Sequence, residues 1–120
     1  MSLCILAGGK AMTLAVTAFT LAWTHSVEKT AWEEDWRITE AGLQLVEARV
    51  KGSGAGMEPP EGATLSNGWW QWTPTLPAQS KLLLAASGAT ASGWSLCADG
   101  QCLSLGAQAQ EPVAVEACER

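Results

Sequence analysis

The only histidine of the chain, His25, lies in residues 19–38, a segment that also holds three tryptophans and the densest group of carboxylates. Alternating apolar side chains predict a β-hairpin in this segment, with its turn at residues 29–30. That turn places His25 opposite Glu34 and Trp23 opposite Trp36 on the apolar face. A polar pair on an apolar face is a local conflict of the kind found at functional sites. The pair is therefore the first candidate for chemistry.

Several roles fit His25 and Glu34. Glu34 can orient the imidazole as a general base acting on water, the arrangement of a small hydrolase or isomerase. Ser26 is a poor nucleophile for this base, because neighbours on a strand point to opposite faces. Alternatively, the pair contacts a ligand, or its two members satisfy each other in a tryptophan-walled core. A donor set of His25, Glu34 and either Glu28 or Glu58 specifies no metal, and we expect no cofactor.

A second candidate is the glycine-rich segment 52–62, Gly-Ser-Gly-Ala-Gly-Met-Glu-Pro-Pro-Glu-Gly. Alternate glycines, among them Gly54 and Gly56, permit positive φ, and the paired prolines fix an extended exit. Long loops often carry function, although a plain crossover between two sheets is the alternative. The segment lacks the Gly-Lys-Ser/Thr of a nucleotide P-loop. We expect Met57 to anchor it, next to Glu58, against the open end of the hairpin.

Length and composition predict a single domain over residues 1–106, with residues 107–120 as a polar tail or a weak edge strand at Val113 to Val115. The chain has 120 residues, 48% of them hydrophobic, and a net charge of -5. That charge argues against nucleic acid or an anionic membrane surface as a partner. The apolar run at 11–23 is too short to span a bilayer. We expect a cytoplasmic protein because no targeting segment is recognisable, or an extracytoplasmic one if a leader was removed.

Short apolar strands separated by glycine turns predict an all-β fold. Gly8-Gly9 and Asp99-Gly100 each have the signature of a two-residue hairpin turn. Further strands are expected at 43–50, 68–73 and 81–86. We therefore predict a single antiparallel β-barrel or β-sandwich built from consecutive hairpins, with little or no helix.

The four cysteines suggest two pairs. The Asp99-Gly100 turn places Cys97 opposite Cys102 at a closely spaced, non-hydrogen-bonded position. These two residues form either a disulfide or, in a reducing cytoplasm, paired thiols. Cys4 and Cys118 can pair only if the two ends of the chain are neighbours. The spacing does not suit a zinc site.

Four stretches resemble a bacterial family of domains of unknown function, number eighteen-fifty. They are Trp-Thr-His-Ser-Val-Glu-Lys at 23–29, Trp-Glu-Glu at 32–34, residues 52–60 of the glycine-rich segment, and Leu96-Cys97. The likeness covers nearly all of residues 3–105. It implies a small protein often encoded beside tripartite ATP-independent periplasmic (TRAP) transporters of the TAXI type. Some relatives carry an N-terminal membrane segment, which this sequence lacks. The resemblance brings no catalytic residues.

We therefore expect a binding or accessory protein, not an enzyme, with a TRAP transporter subunit or a small organic anion as its partner. The expected binding residues come from the hairpin and the glycine-rich segment: His25, Ser26, Glu28, Glu34, Gly54, Gly56, Met57 and Glu58. One alternative is the small hydrolase or isomerase that uses His25 with Glu34. Another is a structural domain that self-associates through Trp69 to form a homo-oligomer.

Overall fold

The computed structural model describes residues 1–24, 31–51, 62–84, 93–106 and 112–118. These residues form strands and turns without a helix, so none of them lies in a helix able to cross a membrane. The strands are β1 (Ser2–Ala7), β2 (Lys10–Leu14), β3 (Ala18–Thr24), β4 (Ala31–Thr39), β5 (Gly42–Lys51), β6 (Thr64–Ser66), β7 (Trp69–Trp72), β8 (Lys81–Leu84), β9 (Trp94–Ala98), β10 (Gln101–Leu105) and β11 (Val113–Cys118).

The described strands form two antiparallel sheets. A small sheet has the order β2-β1-β11-β8, and a large sheet has the order β10-β9-β3-β4-β5-β7-β6. The prediction of an all-β fold built largely from hairpins is confirmed. Because the strands divide into two separate sheets, the architecture is a sandwich and not a closed barrel.

The core lies between the sheets and follows from strand alternation. Inward positions of β1 and β11 carry apolar residues that are almost fully buried, and many inward positions of β3, β4, β5 and β9 do so too. The members of this core are Leu3, Ile5, Val113, Val115 and Leu84 from the small sheet, and Phe19, Leu21, Trp36, Ile38, Leu43, Leu45, Leu96 and Leu105 from the large sheet.

Two hairpin turns match their sequence signatures. Gly8 and Gly9 have φ of 59° and 81°, and Asp99 and Gly100 have φ of 51° and 76°. Positive φ at both central residues is the type I′ geometry that suits the twist of paired strands. A third turn of this kind, at Asn67-Gly68, joins β6 to β7. The sequence carried the same Asn-Gly signal there, but the hairpin was not predicted.

The register of the β3–β4 hairpin differs from the prediction. Trp23 faces Trp32 and not Trp36, a shift of four residues, and Leu21 faces Glu34. The predicted facing of His25 and Glu34 is therefore wrong. Aromatic pairing accounts for the observed register, because Trp23 stacks on Trp32 with ring centroids 5.9 Å apart. A shift by an even number leaves every side chain on its predicted face.

The C-terminal strand is also different from the expectation. Strand β11 is an interior strand of the small sheet, between β1 and β8, and not a polar tail or weak edge strand. Val113 and Val115 are fully buried there. Because β1 and β11 are neighbours, Cys4 and Cys118 meet and form a disulfide with a Cα–Cα distance of 5.9 Å.

The second disulfide lies in the β9–β10 hairpin. Cys97 faces Cys102, as predicted from the Asp99-Gly100 turn. Of the two expected states, the structure has the disulfide, with a Cα–Cα distance of 4.0 Å. The bond joins the edge strand of the large sheet to its neighbour.

Candidate binding site

Four tryptophans from four strands meet on the inner face of the large sheet. Trp23 of β3 stacks on Trp32 of β4, with ring planes 9° apart. Trp94 of β9 lies against Trp23 at 4.8 Å between centroids, and Trp72 of β7 meets Trp32 edge-on at 6.4 Å. All four are half-buried. We call Trp23, Trp32, Trp72 and Trp94 the tryptophan cluster.

Strand alternation and the order of the strands produce this cluster. Trp32 shares its face with Glu34 and Trp36, and Trp72 faces Ala48 across the β5–β7 ladder. Ala48 in turn faces Glu34. The small side chain of Ala48 leaves room for larger neighbours on both sides. The cluster therefore borders Glu34 along the same face.

Glu34 is a carboxylate in mainly apolar surroundings. Its cross-strand neighbours are Leu21 on β3 and Ala48 on β5, which are 1% and 4% exposed. Its one hydrogen bond comes from Trp36 within the described residues, where Nε1 donates to Oε1 at 3.1 Å. Burial raises the pKa of Glu34, and the hydrogen bond from Trp36 lowers it by a smaller amount. The polar residue predicted for the apolar face is present, without the predicted facing histidine.

The outer face of the same strands holds an ion-pair network. Arg49 Nε donates to Glu33 Oε1 at 2.6 Å, and its two Nη atoms contact both oxygens of Asp35 at 2.8 and 3.2 Å. Nη1 also lies 3.3 Å from Glu47 Oε2. Thr20 donates a further hydrogen bond to Asp35 at 2.8 Å. Glu33 and Asp35 thus lie on the outer face as partners of one guanidinium.

Arg49 and Asp35 shift each other's pKa. The guanidinium lowers the pKa of Asp35 mainly through its hydrogen bonds, and the same contacts raise the pKa of Arg49. The network binds the outer face of β4 to that of β5. We assign it a structural role because its charges already have partners.

An open groove of about 300 Å³ lies at the end of the β3–β4 ladder. Trp23, Trp32 and Trp94 line one part of it, and Glu33 and Ser95 line another. Within the described residues, no group of three or more histidine, cysteine or acidic side chains is placed to hold a metal ion. Ala22 faces Glu33 and Ser95 across the two ladders, on the side opposite Trp23 and Trp32, so the groove belongs to the outer face and not to the tryptophan cluster.

Of the predicted binding residues, only Glu34 belongs to the described part of the chain. The other predicted residues, His25, Ser26, Glu28, Gly54, Gly56, Met57 and Glu58, lie outside the described residues. The strand ends that flank the two motifs are neighbours, since Trp32 near the start of β4 faces Val50 near the end of β5. Both motifs are therefore joined to the same end of the large sheet, next to the tryptophan cluster.

Sequence reasoning missed the cluster as a unit. Trp94 was not singled out, and Trp23 and Trp32 were assigned to different facing pairs. The available signal was the composition, since seven tryptophans without a tyrosine predict wide, flat contacts. The ion-pairing role of Arg49 was also missed. In the sequence Arg49 follows Glu47 by two residues, which puts the two side chains on the same face of β5.

Residues 19–105 match the family described as Domain of unknown function (DUF1850). The chain belongs to this family. The matched span begins within β3 and ends at the last residue of β10, so it contains every strand of the large sheet together with β8. Strands β1, β2 and β11 lie outside it. No curated protein and no solved structure matched the chain.

Proposed function

We propose that this DUF1850 protein is a small binding domain that acts as an accessory to a TRAP transporter of the TAXI type, through contact with a transporter subunit. The association with a transporter comes from the family resemblance of the motifs at 23–34 and 52–60. The observation that carries the binding role is the tryptophan cluster. Half-buried indoles grouped beside the attachment points of both motifs provide the flat, adaptable surface that protein contacts favour.

The charges near the cluster favour a subunit over a small organic anion as the partner. Glu33, Glu34 and Asp35 bring three carboxylates to β4, and Arg49 is already paired with two of them. An anion held at the cluster would meet Glu34 without a described cation on that face. A protein surface can instead supply the complementary charge and cover a larger area.

The catalytic alternative has lost the pairing on which it depended, because Leu21 occupies the position opposite Glu34. Self-association through Trp69 is also less favoured, because Lys51 already lies over the Trp69 ring, with Nζ 5.9 Å from its centroid. We therefore carry neither alternative forward as the main function.

The two disulfides support an extracytoplasmic location for this function, which was the alternative to the cytoplasm. Disulfides persist in oxidising compartments and are rare in a reducing cytoplasm. Both Cys4–Cys118 and Cys97–Cys102 are bonded. Expressing the chain with and without an export signal, and measuring free thiols after each, tests this location: two bonds only in the exported form are expected.

The binding role is tested with purified components of a TAXI-type transporter from the same bacterium. The full chain is immobilised, and binding of the solute receptor and of the membrane subunits is measured by interferometry. Trp32→Ala should weaken binding at least about tenfold, as removal of an interface tryptophan commonly does. Trp69→Ala, on the opposite face of the large sheet, is the matched control and should leave binding unchanged.

Two results would overturn the proposal: no binding by any transporter component, or equal weakening by the two substitutions. Circular dichroism and the melting temperature of each variant establish that it is folded before binding is compared.

A further inference from the structure

On the inner face of the large sheet, the second carboxylate oxygen of Glu34 has no hydrogen-bond partner among the described residues. Trp36 occupies Oε1 of Glu34, and no hydrogen bond from a described residue reaches Oε2. Within the described part of the chain, every buried side-chain oxygen or nitrogen has a hydrogen-bond partner. Oε2 is therefore not fully buried. Glu34 thus offers one free acceptor atom from otherwise apolar surroundings.

Indole rings stand around this carboxylate. Trp32 precedes it by two residues on the same face of β4, and Trp36 follows it by two. Trp72 lies on the far side of Ala48 and touches Trp32 edge-on, with ring planes 84° apart. Indole faces carry negative electrostatic potential, so they attract a cation placed over them. The carboxylate and the rings favour the same charge.

The cations of β4 and β5 all lie on the opposite face. Arg49 pairs with the outer carboxylates, Arg37 is exposed on the outer side, and Lys51 covers Trp69. Alternation along the strands keeps these side chains away from Glu34. Among the described residues of these two strands, no cation lies on the same face as Glu34.

We propose that Glu34, Trp32 and Trp72 form a binding site for the ammonium group of a small, alkylated organic cation. An alkylated ammonium has weakly hydrated methyl groups, so moving it beside half-buried indoles costs less than moving a compact, strongly hydrated cation. Its charge is met by the second oxygen of Glu34, and its methyl groups are met by Trp72 and by the part of Trp32 that Trp23 does not cover. This inference rests on the proposal that the tryptophan end of the sheet is a binding face, and it names the chemistry of one ligand there.

Tetramethylammonium chloride is the probe, added to the full chain with both disulfides intact. Binding is followed through the indole N–H signals in a ¹H–¹⁵N spectrum, with sodium chloride at equal ionic strength as the reference. We expect a saturable shift of a subset of the indole signals. Glu34→Gln should weaken the apparent affinity at least about tenfold, because it removes the charge and keeps the acceptor for Trp36. Trp72→Leu should weaken it to a similar extent.

Glu116→Gln is the charge-matched control, since Glu116 is exposed on the outer face of the small sheet. It should leave the titration unchanged. Sodium acetate at the same ionic strength should produce no saturable shift.

Equal titrations of the wild type and Glu34→Gln, with the variant's spectrum still dispersed, would overturn the cation site. So would a saturable, Glu34-dependent response to acetate. If the cation does not bind while Trp32→Ala still weakens binding of the transporter subunit, this inference falls and the accessory function stands. If neither the cation nor a subunit binds, both proposals fall.

Discussion

The two faces of strand β4 place neighbouring carboxylates in opposite environments. On the inner face, Glu34 lies among apolar residues and its pKa is raised by burial. On the outer face, Asp35 receives hydrogen bonds from Arg49 and its pKa is lowered. The two are neighbours in sequence, and strand alternation puts them on opposite faces. Their difference shows that the outer face uses charge to hold strands together, whereas the inner face keeps a charge that the described fold does not neutralise.

The largest expected difference between the two faces is in the free energy of unfolding when a tryptophan on each face is replaced. Trp36→Ala removes a 5%-exposed side chain that stacks on Phe19 with ring planes 7° apart and donates to Glu34. We expect it to lower the free energy of unfolding by about 3–5 kcal/mol, the usual cost for a buried aromatic residue. Trp69→Ala on the outer face loses mainly the contact with Lys51 and should cost about 1 kcal/mol. Urea denaturation measures both values, and equal costs would contradict the asymmetry.

Replacing Arg49 with Met probes the outer face alone. The substitution leaves Glu33 and Asp35, which are neighbours on the outer face of β4, without their cation. We expect the free energy of unfolding to fall by about 1–2 kcal/mol at pH 7. Since the folded pKa of Asp35 is lowered, this contribution is present above the unfolded value of about 4 and is lost as the pH falls through the folded pKa.

The gap in stability between the wild type and Arg49→Met should therefore close under acidic conditions. Chemical denaturation from pH 7 down to pH 3 measures it, and a gap that is independent of pH would contradict the ion-pair explanation.

The smallest expected effect is on the inner face, where the stability of the wild type changes with pH in the opposite direction. Because the folded pKa of Glu34 is raised, the wild type is favoured below the unfolded value of about 4.3 and loses stability as the pH rises through the folded pKa. Glu34→Gln avoids this loss and keeps the acceptor for Trp36. It should be more stable than the wild type at pH 7 by up to about 1 kcal/mol, with little difference at pH 4. Melting temperatures of both proteins at the two pH values measure this difference. A variant that is less stable than the wild type at pH 7 would contradict the raised pKa of Glu34.

The sequence was informative where structure depends on neighbouring residues. The turns at Gly8-Gly9 and Asp99-Gly100 require positive φ, which these residues adopt readily, so both hairpins and the facing of Cys97 and Cys102 followed. Strand alternation also placed Glu34 on the apolar face correctly. These features need only local geometry.

The sequence did not predict the features that depend on the pairing of strands distant in the chain. The β3–β4 register follows from how Trp23 and Trp32 stack, and a turn guessed at residues 29–30 does not contain that information. The tryptophan cluster additionally needs the order of four strands, and Trp94 reaches it only because β9 pairs with β3. The burial of Val113 in β11 depends on its two neighbouring strands, β1 and β8, and the residues around Val113 do not reveal this pairing.

The disulfide between Cys4 and Cys118 turns most of the polypeptide into a covalent ring, since its cysteines are 114 positions apart in sequence. A protease that cuts once within this ring gives two fragments that remain linked until the bond is reduced. Met1 and Cys118 also lie beside the β4–β5 turn, at the far end of β4 from Trp32. A surface or fluorophore attached beside Met1 would therefore leave the aromatic end of the sandwich facing outward.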